Sequence, residues 1–133
     1  MEAAVKTGIT DIVSESIKNV VGDKLRRIIL YGSYARGDFS DNSDIDIMVL
    51  ADIHDDKELM ELEKVLWDIG WSVGMEHDIM ISVFLKDNTH FYEWQDAMAY
   101  YRNIIKDGVV LYGTTLIPNN SSLIFPDRIS QSG

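Results

Sequence analysis

Asp44 and Asp46 occupy alternate positions at the start of an apolar run that ends at Leu50, and ten residues separate Asp44 from the pair Gly32-Ser33. On a β-strand, Asp44, Asp46, Met48 and Leu50 share one face, and Ile45, Ile47 and Val49 share the other. Both faces become apolar toward Leu50, which places the carboxylates at the open end of a buried central strand. Taken alone, the pair also fits a strand start with two solvated aspartates. Asp78 adds weight, because it precedes Ile79, Ile81 and Val83 as Asp44 precedes Ile45, Ile47 and Val49. If the two strands are neighbours, three carboxylates converge and require cations, for which hard oxygen donors favour Mg²⁺ or Mn²⁺. Two such ions would form a clamp for phosphoryl chemistry. Glu76, on the same face two residues away, competes with Asp78 for the third place.

Two other phosphate or cation motifs fail on inspection. An EF-hand loop begun at Asp38 needs Gly and Glu where the chain has Ser43 and Val49. Gly32 and Gly37 have the glycine spacing of a P-loop, but Asp38 stands where its lysine belongs. Gly32-Ser33 remains as the anion end of a site: glycine lets the backbone approach a phosphate, and Ser33 can cap a short helix while offering its hydroxyl and N–H.

The elements that position these residues follow from periodicity. Ile9, Ile12, Val13, Ile17, Val20 and Val21 predict a first helix closed by Gly22, followed by a strand from Leu25 to Tyr31 and a second from Asp44 to Leu50. Asp55 and Glu58 resemble a capping box. Leu59, Leu62, Val65, Leu66 and Ile69 then predict a second helix ending at Gly70. A third strand is expected within Glu76 to Leu85, and a third helix through Phe91, Trp94, Met98, Tyr101 and Ile105, ending at Gly108. Val109 to Tyr112 reads as a short closing strand, and residues 114–133 as an irregular tail to a domain of residues 1–113. The order α-β-β-α-β-α predicts an α/β (α+β) fold, a small mixed β-sheet covered by helices.

Composition narrows the functions. A net charge of −10 over 133 residues argues against direct nucleic-acid binding and for a basic or neutral protein partner. With no cysteine there is no zinc-thiolate site or thiol nucleophile, so any metal sits on oxygen or imidazole. No segment approaches a membrane span and the N-terminus lacks a signal pattern, so a cytoplasmic protein is expected. His54, His77 and His90 have no ligand spacing, and His77 would point away from Asp78 on a strand. Trp67 and Trp71 read as packing residues, and Phe91, Tyr92, Trp94, Tyr100 and Tyr101 as core and interface.

Gly32-Ser33, ten residues and then Asp44-Ile45-Asp46 resemble the signature of the polymerase-β-type nucleotidyltransferase superfamily. The wording GSYARGDFSDNSDIDIMVL and the ending IIKDGVVLYG are most similar to its minimal nucleotidyltransferase family, the antitoxin partners of HEPN-domain toxins. The resemblance runs from about Leu25 to Tyr112. It implies that Asp44, Asp46 and Asp78 are catalytic and hold two Mg²⁺ ions (or Mn²⁺), and that Gly32 and Ser33 bind the triphosphate, with Arg36 meeting phosphate or partner. It further implies transfer of AMP from ATP to a tyrosine of a HEPN ribonuclease toxin, silencing it. A non-catalytic antitoxin that only covers its toxin, and an aminoglycoside-type small-molecule transferase, are the alternatives. The oligomeric state is left open.

Overall fold

The alternation along the central strand decides the layering of the molecule. The computed structural model describes residues 3–40 and 44–113. Its elements run α1 (Ala3–Val21), a 3-10 turn (Gly22–Lys24), β1 (Leu25–Tyr31), α2 (Ser33–Arg36), β2 (Ile45–Ala51), α3 (Asp56–His77), β3 (Ile81–Asp87), α4 (Asn88–Trp94), α5 (Ala99–Asp107) and β4 (Val109–Tyr112). The strands form one mixed sheet in the order β3-β2-β1-β4, with β1 antiparallel to β2 and β4, and β2 parallel to β3. Ile45, Ile47 and Val49 pack with Val13 and Ile17 of α1 and Leu66 and Val73 of α3. Met48 and Leu50 look the other way, onto Phe91, Tyr101 and Ile104 of α4 and α5. Full burial of each such side chain is worth about 1.5–3 kcal/mol, so a two-faced β2 is the main anchor of the sheet.

Three departures from the sequence expectation go beyond a one-residue shift. Helix α3 starts as predicted, the Asp55 carboxylate accepting from the Glu58 N–H at 2.8 Å, but it continues past Gly70 to His77. Gly70 and Gly74 lie inside the helix, where they let it press against the chain leading into β3. A Cβ on residue 70 would sit 2.7 Å from the Ile81 carbonyl oxygen, and one on residue 74 would collide with that of Ile79. As a consequence β3 begins at Ile81 rather than within Glu76 to Asp78. The third helix is in fact two, because α4 closes with Ala97 and Met98 N–H groups donating to the Trp94 carbonyl before α5 starts at Ala99. Both halves lie on the same sheet face, which is why one apolar period ran through the break. The expectation for the tail falls on residues outside those described.

The glycine contact carries a test. Ala is the better helix former by about 1 kcal/mol, yet Gly74→Ala should lower unfolding stability by about 1–3 kcal/mol, because the added methyl overpacks against backbone. Urea denaturation checks this; a stabilised variant would show that α3 and β3 are not in close contact there.

Candidate active site

The register of β1 on β2 builds the site. Tyr31, the last residue of β1, pairs with Asp46, so the chain that turns at Gly32 does so beside the carboxylate. Gly32 has φ +78° and ψ −158°, a conformation essentially restricted to glycine. A Cβ at this position would lie 2.6 Å from Asp46 Oδ2, so the missing side chain is what admits the acid. Ser33 opens α2, whose single turn is closed by the Arg36 N–H donating to the Gly32 carbonyl at 3.1 Å and ended by Gly37 at φ +85°. The first N–H groups of such a turn have no acceptor within the helix.

Asp44 is exposed and directly precedes β2, while Asp46 is half-buried. The Ile45 N–H between them donates to the Met80 carbonyl at 2.9 Å, fixing this end of the strand. Burial, and then the charge of Asp44, push the Asp46 carboxyl above its ordinary range. An acid whose charge is disfavoured by burial and by a like neighbour is one that a divalent cation would relieve. Arg36 lies four residues beyond Gly32, exposed, with its Nε 3.2 Å from Asp38 Oδ2.

Two site residues were not foreseen. The Tyr31 and Tyr100 hydroxyls are 2.7 Å apart, and their rings meet edge to face at 5.9 Å. Burial raises both phenols above their ordinary range, and the charge of Asp46 adds to the shift in each. They stay neutral at physiological pH and form a hydrogen-bonding wall beside the acid. The only available sequence signal was adjacency: Tyr31 precedes Gly32, and an antiparallel β1–β2 pair puts it opposite Asp46.

Asp78 requires a correction. It is the C-cap of α3, in the left-handed conformation at φ +55°, not the start of a strand. It lines a cavity with Trp71 and Met75 on the α3 side of the sheet, and Glu76 lies on α3 itself. The residue level with Asp46 on β3 is Ser82. Among the described residues no group of three acids or histidines could hold a metal. Asp78→Asn, which keeps a residue tolerant of the left-handed conformation, should therefore transfer nucleotide within about threefold of the wild type, less than the effect of removing one positioned acid–base group. An initial-rate assay decides it, since a loss of a hundredfold or more would return Asp78 to the site. His77 ends α3 rather than lying on a strand; His54 contacts Asp87 at 2.9 Å, and His90 contacts the Tyr101 hydroxyl at 3.1 Å.

A mixed sheet with a Gly-Ser turn and an acid pair at one end of its central strands defines a small α/β domain of the nucleotidyltransferase class. The pattern of the family described as polymerase beta, nucleotidyltransferase, matches residues 15–115, and the chain belongs to that family. It is similar to a Methanocaldococcus jannaschii protein named "putative protein adenylyltransferase", at 36% identity over 84 residues, covering 61% of this chain and 82% of the relative. A solved structure from Sulfolobus solfataricus, described as a "putative nucleotidyltransferase", shares the fold with a TM-score of 0.55 at 17% identity, over 88% of this chain and 95% of that one. A toxin-antitoxin structure with AMP-PNP aligns at a TM-score of 0.49 and 23% identity, over 89% of this chain and 82% of that chain. Among the described residues no helix is long and apolar enough to cross a membrane.

Proposed function

We propose that the chain transfers AMP from ATP to a hydroxyl of a partner protein, with Mg²⁺ held by Asp44 and Asp46. The observation that carries this reading is the Asp46 carboxylate lying against Gly32, the closeness that a site joining cation ligands to a phosphate turn requires. Two hard carboxylates suit Mg²⁺ or Mn²⁺, which Asp44 and Asp46 would hold. A bound divalent cation supplies charge neutralisation on the phosphates and makes the acceptor hydroxyl more acidic. The Gly32 backbone and the Ser33 hydroxyl and N–H position the triphosphate, and Arg36 meets phosphate or partner. The acceptor oxygen bonds to the α-phosphorus as the bond to the bridging oxygen breaks; pyrophosphate leaves, and the hydroxyl proton is released. Tyr31 and Tyr100 confine the reacting end without adding charge.

The name of the Methanocaldococcus jannaschii relative supports a protein acceptor and an adenylyl donor. The resemblance to antitoxins makes a tyrosine of a HEPN ribonuclease toxin the acceptor we favour, in the cytoplasm where ATP and Mg²⁺ are abundant. One observation favours a second reading: with only two acids gathered among the described residues, an antitoxin that merely covers its toxin needs no more. Intact mass spectrometry of whatever co-purifies from the native host, before and after Mg²⁺ and ATP, separates the two. Increments of one or more AMP units on the partner support transfer. A partner that stays bound without gaining mass supports covering, and modification of small molecules alone would point to an aminoglycoside-type enzyme.

A further inference from the structure

The sequence reading of Trp67 and Trp71 as packing residues is overturned by their exposure, 54% and 63%. Met75 follows on the same stripe of α3 at 67%, and Met80 closes it at 55%. Side chains four residues apart on a helix share a face, so these residues form one contiguous exposed apolar stripe, the kind of surface that often serves as an interaction site. Two cavities run along it, of about 370 and 290 Å³, sharing Trp71 and Ile81. The second reaches Ser82 and Phe84. Ser82 is level with Asp46 in the parallel register, and residues paired in this way share a sheet face, so the groove runs from the outer side of α3 over the free edge of β3 to the flank of the active site.

The groove is built to bind side chains, not a strand. The Leu85 N–H on the outer edge of β3 is taken by Glu63 at 2.7 Å, and the Ile79 and Ile81 carbonyls lie against Gly74 and Gly70. Its flanks are mainly acidic: Asp68, Glu76 and Asp78 are exposed around the stripe, with one exposed lysine, Lys64, at its N-terminal end, on a chain of net charge −10. A second copy would bring the same acids against them. A complementary surface has an apolar ridge bordered by lysine and arginine.

We propose that this groove docks the acceptor protein through such a ridge, and so presents its hydroxyl to the Asp46 end of the site. The inference rests on the transfer function proposed above and names how that site recognises its protein substrate. The test uses the full chain, Mg²⁺, α-³²P-ATP and soluble extract of the native host, with labelled proteins read on a gel and nucleotide binding read separately with a fluorescent ATP analogue. Trp71→Glu should label the acceptor at least about tenfold more slowly while binding the analogue like the wild type, the loss expected for a central aromatic anchor. Glu76→Lys should slow labelling severalfold, and added salt should slow the wild type in the same direction.

Wild-type labelling matched by Trp71→Glu would overturn the docking surface and leave the transfer function standing. A wild type that labels no protein would sink the transfer function, and the docking inference with it. Sedimentation and thermal melts separate the other occupants: a wild-type dimer that Trp71→Glu makes monomeric assigns the groove to a second copy, and a marked loss of melting temperature assigns it to the chain itself. Either result overturns the proposal.

Discussion

The Asp46→Asn variant is expected to transfer AMP at no more than about one thousandth of the wild-type rate, since a metal-held phosphoryl site contributes several kcal/mol and each 1.4 kcal/mol is tenfold. Asparagine keeps the shape but not the charge, so under the proposed function the cation would meet a neutral, weaker oxygen in place of a carboxylate. The same substitution should leave the metal-free protein more stable at neutral pH. The folded carboxyl titrates above its unfolded value because of burial and Asp44. Stability from such a group is fully present below the ordinary carboxylate range and is lost as pH rises through the raised folded value. Wild type thus carries a penalty at pH 7 that the variant lacks, and the gap in melting temperature should close on acidification. Mg²⁺ should stabilise the wild type by about 2.7 kcal/mol at one hundred times its Kd, and the variant much less. A fully active Asp46→Asn protein would remove the pair from the chemistry.

Gly32→Ala should produce a comparable failure of transfer by a different route. The new Cβ meets Asp46 Oδ2 at 2.6 Å, and the backbone there sits where only glycine is unstrained. Relief requires the turn, the acid or both to move, and a displacement of about 1 Å at a reacting centre costs on the order of a hundredfold in rate. The strain also lowers stability by about 1–3 kcal/mol. The two variants therefore lose rate together and move in opposite directions in metal-free melting temperature, a pattern that a general unfolding defect cannot produce. An alanine variant with wild-type rates would show that the turn does not confine the acid.

The geometry of the candidate site was legible in the sequence where local chemistry wrote it. Asp44 and Asp46 were visible because strand alternation is local, the Gly32 turn because its residue pair and spacing are, and the start of α3 because Asp55 caps it within one turn. What failed to show depended on partners distant in the chain. A glycine that ends a helix and one that lets a helix press on a strand read alike, so Gly70 was taken for a terminus. Ile79, Ile81 and Val83 alternate whether or not the first of them joins the ladder, so Asp78 was drawn onto a strand that begins three residues later. Trp67 and Trp71 look like core in any window; only the position of α3 over a sheet edge leaves them uncovered. Tyr100 reaches the site because α5 packs beneath β1, which no period along α5 announces.

The pairing of Tyr31 with Asp46 separates what this site must preserve from what it can vary. The ladder between two antiparallel strands holds Gly32 beside Asp46 through backbone pairing, which no side chain has to supply. Exposed side chains around the turn can therefore change without disturbing that relation. Lineages could thus rewrite the surface around the turn while inheriting the strand register intact, and an engineer altering that surface would leave Tyr31, Gly32 and Asp46 in place.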